Sequence, residues 1–153
     1  RSNRNYDFLV DALSGTSIPV KIACDSYVGQ HIPDNIEVLR NCYGDDTFRL
    51  MAKCHCVLIP LEHLNMSSGH LVALQAMSLG KPIVATRITG IDELLAEGAG
   101  VLCECSAESL AEPVIRLKND PEKMAEYGSR ALERSRAFSP AETMKAIYGL
   151  IDG

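Results

Sequence analysis

Five short apolar runs are spaced along this chain, at residues 20–24, 36–39, 56–60, 83–86 and 100–103. Within each run nearly every position is apolar. A strand with one face in water alternates, whereas a strand without alternation is covered on both faces. Helical patterns lie between the runs. The expected fold is therefore α/β, a Rossmann-like parallel sheet covered by helices on both faces.

The intervening segments read as follows. Tyr6, Leu9, Val10 and Leu13 share a helical face before Gly15 and Pro19 interrupt it. Asp45 or Asp46 can cap a helix carrying Phe48, Leu50, Met51 and Cys54. A short helix over 91–97 is closed by Gly98. Ser106 opens a helix to about Asn119 that Pro113 is expected to bend or interrupt, and Asp120-Pro121-Glu122 starts another. Ser139 through Glu142 reads as a capping box for a last helix reaching about Ile151.

The unit from 56 to 90 carries the most chemistry. Ser67-Ser68-Gly69-His70 leads into Leu71 through Met77, a helix apolar nearly all round and so expected to be buried. Ser67 or Ser68 suits the cap, and Gly69 lets another group approach the backbone. The first turn offers unpaired N–H groups and the positive end of a dipole, which suit an anion such as a phosphate. Gln75 is the one polar side chain in the helix middle, placed either to bond within the core or to meet a ligand. Lys81 is expected to complement the carboxyl end of this helix. Ligands of parallel sheets bind at the carboxyl ends of the strands, where the loops 25–35, 40–46, 61–69 and 87–91 emerge.

Composition narrows the function classes. At 153 residues the chain is one domain, and its net charge of −5 disfavours general nucleic-acid binding. No apolar run approaches the roughly 18 residues of a spanning helix, and no signal peptide is visible. The six cysteines sit mostly at the ends of apolar runs, as reduced buried thiols of a cytoplasmic protein would. Cys54-His55-Cys56 and Cys103-Glu104-Cys105 lack the usual two to four intervening residues of a structural zinc site, so no metal is expected.

Gly69 through Thr86, with Gly-Lys-Pro at 80–82 and Val-Ala-Thr at 84–86, resembles the C-terminal half of group 1 glycosyltransferases, retaining GT-B enzymes of the family 4 type. Gly90-Ile91-Asp92-Glu93-Leu94 resembles the family's Gly-Ile-Pro-Glu-Leu element. The resemblance implies that residues 1–153 form the domain binding a nucleotide-sugar donor, one half of a longer two-domain chain. An N-terminal domain would bind the acceptor. The opening Arg1-Ser2-Asn3-Arg4 before the first helix fits such a half with its first strand missing.

The resemblance also distributes roles. The family marks its donor site with two glutamates separated by seven residues, and these positions hold Ser67 and Gln75 here. The backbone amides of Gly69, His70 and Leu71 fall where the family contacts the diphosphate, and Ser68 is a further donor-binding candidate. Arg1 and Arg4 match its phosphate-binding cations, and Arg4 is the catalytic candidate, stabilising the leaving diphosphate. Two cations ahead of a helix start are also poorly placed for its dipole unless an anion lies between them. The base is expected against the 40–44 loop, with Asn41 and Cys42. The simpler readings stand beside these: a solvated terminus for Arg1 and Arg4, a loop residue for His70, a helix-start residue for Glu93.

The implied function is retaining transfer of a hexose from a UDP- or GDP-linked donor, without cofactor or metal, in a pathway such as polysaccharide biosynthesis. The isolated domain is expected to be inactive alone, and the parent enzyme to be cytoplasmic, with peripheral membrane association allowed. The alternative is a non-catalytic sugar-nucleotide or phosphate-binding module, since both motif carboxylates are absent. A receiver-like regulatory domain is disfavoured because no acidic cluster ends the first strands.

Overall fold

The structure is a computed structural model that describes residues 4–62, 68–139 and 141–142. The order is α1 (Tyr6–Leu13), β1 (Val20–Ala23), β2 (Ile36–Leu39), α2 (Asp45–Lys53), β3 (Val57–Ile59), α3 (His70–Ser78), β4 (Ile83–Thr86), α4 (Ile91–Leu94), β5 (Val101–Cys103), α5 (Ala107–Asn119) and α6 (Pro121–Ser135). Short 3-10 turns, Ala96–Gly98 and Arg136–Phe138, follow α4 and α6. All strand pairs among the described residues are parallel, so the expected α/β class holds. Their hydrogen bonds form two pieces, β1-β2 and β3-β4-β5, where the sequence pattern alone suggests one sheet.

Local chemistry explains most boundaries. Asn5 Oδ1 accepts the Phe8 N–H at 2.9 Å and starts α1, and Asp120 does the same for Lys123 with Pro121 at the first helical position. Ser106 caps α5, which then runs through Pro113 as one helix rather than breaking there. Gly98 does not simply end a helix over 91–97. The helix stops at Leu94, and Glu97 takes φ 59 within the following turn. Ser139 Oγ accepts the Glu142 N–H at 3.2 Å, as a capping box requires, while the helix expected beyond it lies outside the described residues.

β4 is buried along its whole length, and its residues face two cores in turn. Ile83 and Ala85 join Val57, Ile59, Ala73, Ala76, Met77, Ile91 and Leu94 on one side. Val84 joins the apolar faces of α1, β1 and α5 on the other. α3 is buried only through Ala73, Ala76 and Met77. Leu71 is 69% exposed, so the helix is not covered all round as its composition suggests. Lys81 also departs from expectation: its Nζ donates to the Cys54 carbonyl at 2.9 Å, closing the end of α2 instead of α3. Among the described residues no helix is long and apolar enough to cross a membrane.

α6 approaches the loop between α3 and β4 closely at Gly128. A Cβ there would lie 2.5 Å from the Gly80 carbonyl oxygen, a contact that neither backbone can relieve cheaply. Gly128→Ala is expected to destabilise the fold by about 1–3 kcal/mol despite alanine's better helix propensity. Gly15→Ala, at a site with nothing within 4 Å, should leave stability nearly unchanged. Urea denaturation of the two variants measures the contrast.

Candidate functional site

The carboxyl ends of β3 and β4 are tied together before any loop departs. Leu61 N donates to Thr86 Oγ1 at 3.0 Å, and Thr86 is wholly buried. The segment ahead of α1 joins them, because Asn5 N donates to the Pro60 carbonyl at 3.1 Å and Arg4 forms an antiparallel bridge with Leu61. This brings Arg4 to the start of α3.

α3 opens on Gly69 at φ 83, so the cap position falls on Gly69 rather than on Ser68; Ser67, the other cap candidate, lies outside the described residues. Glycine is needed there twice over. Its backbone is left-handed, and a Cβ would sit 3.0 Å from Ile59 Cγ2 and 3.2 Å from Arg4 Nη1. The Arg4 guanidinium therefore lies beside the first turn of α3. Its Nη1 is buried and hydrogen-bonds to nothing among the described residues. Burial lowers the Arg4 pKa from its ordinary value, with Tyr6 opposing the shift. A cation desolvated in this way is stabilised by an anion.

The other expected residues fall as follows. His70 turns its ring onto Gly90, where a Cβ would be only 2.5 Å from Nε2, so the loops after β3 and β4 meet at this side chain. Leu71 contributes backbone at the helix start while its side chain points to solvent. Gln75 lies one turn on from Leu71, half-buried, and its amide makes no hydrogen bond among the described residues. Asn41 and Cys42 are in the loop after β2. Asn41 takes φ 53 and donates its N–H to Asp25 Oδ1 at 2.7 Å, and the Cys42 carbonyl accepts from Thr47 Oγ1 at 2.8 Å. Arg1 and Ser67 lie outside the described residues.

Sequence spacing gives no sign of what welds these pieces into one edge. Arg40 donates to the carbonyls of Cys24, Asp25 and Tyr27, locking the loops after β1 and β2 into a block. That block docks on α1: the Tyr6 and Tyr27 rings are 5.2 Å apart, and Tyr27 Oη donates to Asp7 Oδ1 at 2.8 Å. Burial and this bond push the Tyr27 hydroxyl up to about 12. Burial alone would also raise the Cys24 thiol, but hydrogen bonds with Ser26, the Tyr27 backbone and Tyr6 outweigh it and hold the thiol below its usual value. Burial pushes Cys56 up to about 12 and Cys103 up to about 11. All six cysteines are free thiols; only Cys103 is a buried residue and Cys105 is exposed, so the expectation of uniformly buried thiols holds in part.

Residues 29–134, more than half of the chain, match the family described as glycosyl transferases group 1. The chain is 28% identical over 147 residues to an uncharacterized glycosyltransferase of Methanocaldococcus jannaschii, spanning 89% of this chain and 41% of that protein. It is 35% identical over 95 residues to a D-inositol 3-phosphate glycosyltransferase of Corynebacterium efficiens, covering 61% of this chain and 22% of that one. The structure of Anabaena HepE in complex with UDP superposes with a TM-score of 0.68 at 26% identity, covering 78% of this chain and 32% of that one. A glycosyltransferase from Rickettsia africae shares the fold at a TM-score of 0.77 and 16% identity, over 98% of this chain and 44% of that one. The chain thus spans less than half the length of these relatives.

The thiol environments give a direct check on the edge. Cys24 should be alkylated by iodoacetamide at pH 7.5 well before Cys56, because the thiolate is the reacting form. Ser26→Ala should slow Cys24 several-fold, roughly in proportion to the thiolate lost. Peptide mass spectrometry over a time course reads both rates.

Proposed function

The chain belongs to the group 1 glycosyl transferases, and on that premise we propose that it is the half of such an enzyme that holds a sugar nucleoside diphosphate. One observation carries the reading: the Arg4 guanidinium lies beside the start of α3, with Nη1 buried and without a hydrogen-bond partner among the described residues. A donor diphosphate placed over that turn would receive the N–H groups of residues 69–71 and a charge-assisted bond from Arg4. As the sugar leaves, charge grows on the diphosphate, and these preorganised donors would stabilise it without calling on a metal or cofactor. Arg1 and Ser68 would add to the same contact.

The remaining roles follow the family arrangement. Gln75, with an amide free to donate and accept, would meet the ribose, and the base would lie toward Asn41 and Cys42. Ser67 would stand where a carboxylate is expected against the sugar. UDP is the first donor to test, since a relative at 26% identity is known in complex with it; GDP is the second. The acceptor would come from a separate N-terminal domain, and a hexose would pass to it with retained configuration. This half alone would bind donor and not turn it over. Six free thiols suit the cytoplasm as the compartment, and polysaccharide assembly is the proposed setting.

The replacement of both motif glutamates by Ser67 and Gln75 favours a second reading, a sugar-nucleotide-binding module without catalysis. Joining this half to an acceptor domain and assaying donor hydrolysis or transfer separates the two.

Calorimetry against UDP, GDP, ADP and pyrophosphate tests the donor site. Arg4→Gln should weaken UDP and pyrophosphate alike, by about tenfold or more, as expected for loss of one charge-assisted bond. Gln75→Ala should weaken UDP and leave pyrophosphate unchanged. If no nucleoside diphosphate binds at millimolar concentration, the donor reading fails. Equal binding by Arg4→Gln and the parent chain would remove Arg4 from the site.

A further inference from the structure

Arg134, in the last turn of α6, reaches back 41 residues to the segment after β4. Its Nη2 donates to the Glu93 carbonyl at 3.0 Å, and its Nη1 lies 3.4 Å from Glu97 Oε1. The guanidinium sits 5.3 Å from the centre of the Phe138 ring, and Nε is buried with no partner among the described residues. A surface ion pair of freely moving side chains holds little. Here the side chain is only 24% exposed and is stacked, so its position is fixed. Arg130 packs beside the same segment: a Cβ on Gly98 would meet its Nη1 at 2.5 Å.

What Arg134 holds is a single helical turn, too short to stand by itself. Inside it, Asp92 Oδ1 accepts the N–H groups of both Gly90 and Glu93 at 3.0 Å, so the turn moves as one piece. Arg134 grips one end, at the Glu93 carbonyl. The other end is Gly90, left-handed at φ 87, with the His70 ring lying where its Cβ would be. His70 is in turn the first residue of α3.

We infer that Arg134 is a positioning residue for the donor site. By holding the Glu93 carbonyl it keeps Gly90 against His70, and so sets where the first turn of α3 presents its N–H groups. The inference rests on the donor-site reading and adds to it a residue that touches no part of the donor. A lysine cannot replace it, because a point charge supplies neither the stacked plane nor two directed bonds.

The test uses Arg134→Met, Arg134→Lys and Phe138→Ala with two readouts: the NMR signals of the Gly90 amide and the His70 ring, and calorimetry with UDP. Arg134→Met is expected to shift both signals and to weaken UDP about three- to tenfold, the usual range for indirect coupling. Arg134→Lys should recover only part of this. Phe138→Ala, which removes the stacked ring and leaves both bonds, should move the same signals by less, and it carries the test if Arg134→Met does not fold. Unmoved Gly90 and His70 signals in the folded variants overturn the inference, and so does UDP affinity within twofold of the parent despite moved signals. A parent chain that binds no UDP overturns the donor reading instead, and the NMR signals still decide whether Arg134 acts on His70.

Discussion

Arg4 lies beside a helix start with its Nη1 buried and unmatched among the described residues, a costly place for an isolated cation. The surrounding structure makes this position hold. The bridge to Leu61 and the Asn5 bond to Pro60 fix the backbone, and the Leu61 bond to buried Thr86 fixes what they are attached to. Gly69 is then confined from both sides, by Arg4 and by Ile59, and the left-handed turn that only glycine takes cheaply opens α3. The buried Nη1 of Arg4 and the first turn of α3 face the same place. On the donor reading, a single anion would meet both.

On the donor reading, this concentrates affinity in the diphosphate. The contacts offered there are backbone N–H groups and a guanidinium, which do not depend on the sugar or the base. Selectivity has to come from groups at the margin: Gln75 one turn into α3, the loop at Asn41 and Cys42, and His70 where two loops meet. The two positions that carry carboxylates in the family carry neutral side chains here. Recognition of sugar hydroxyls therefore rests on neutral donors and acceptors, which are weaker than ionised ones.

The architecture was largely legible in the chain because it depends on local pattern. Each apolar run became a strand within a residue or so of its expected ends, and Ser106 and Asp120 cap the helices they were expected to open. Failures came where a side chain chooses a distant partner. Lys81 passes over the nearest helix end for Cys54, 27 residues away, and Arg40 spends its guanidinium on three carbonyls of another loop. Ser68 has the right chemistry for a cap, but the close approach of Arg4 and Ile59 puts the turn at Gly69. Arg4 could be proposed from its place before a helix. That its Nη1 is buried with no partner among the described residues could only be read in three dimensions.

β4 has a consequence for how the molecule comes apart. Its alternate residues belong to different cores, Ile83 and Ala85 to one and Val84 to the other, and β3 divides in the same way through Ile59 and Leu58. Neither core can be exposed by peeling away a shell of helices while the other survives intact, because they share a wall one strand thick. Sub-global opening is thereby suppressed at the centre and confined to the periphery. Amide exchange in β4 should accordingly proceed only by global unfolding, so that two cores report a single cooperative free energy.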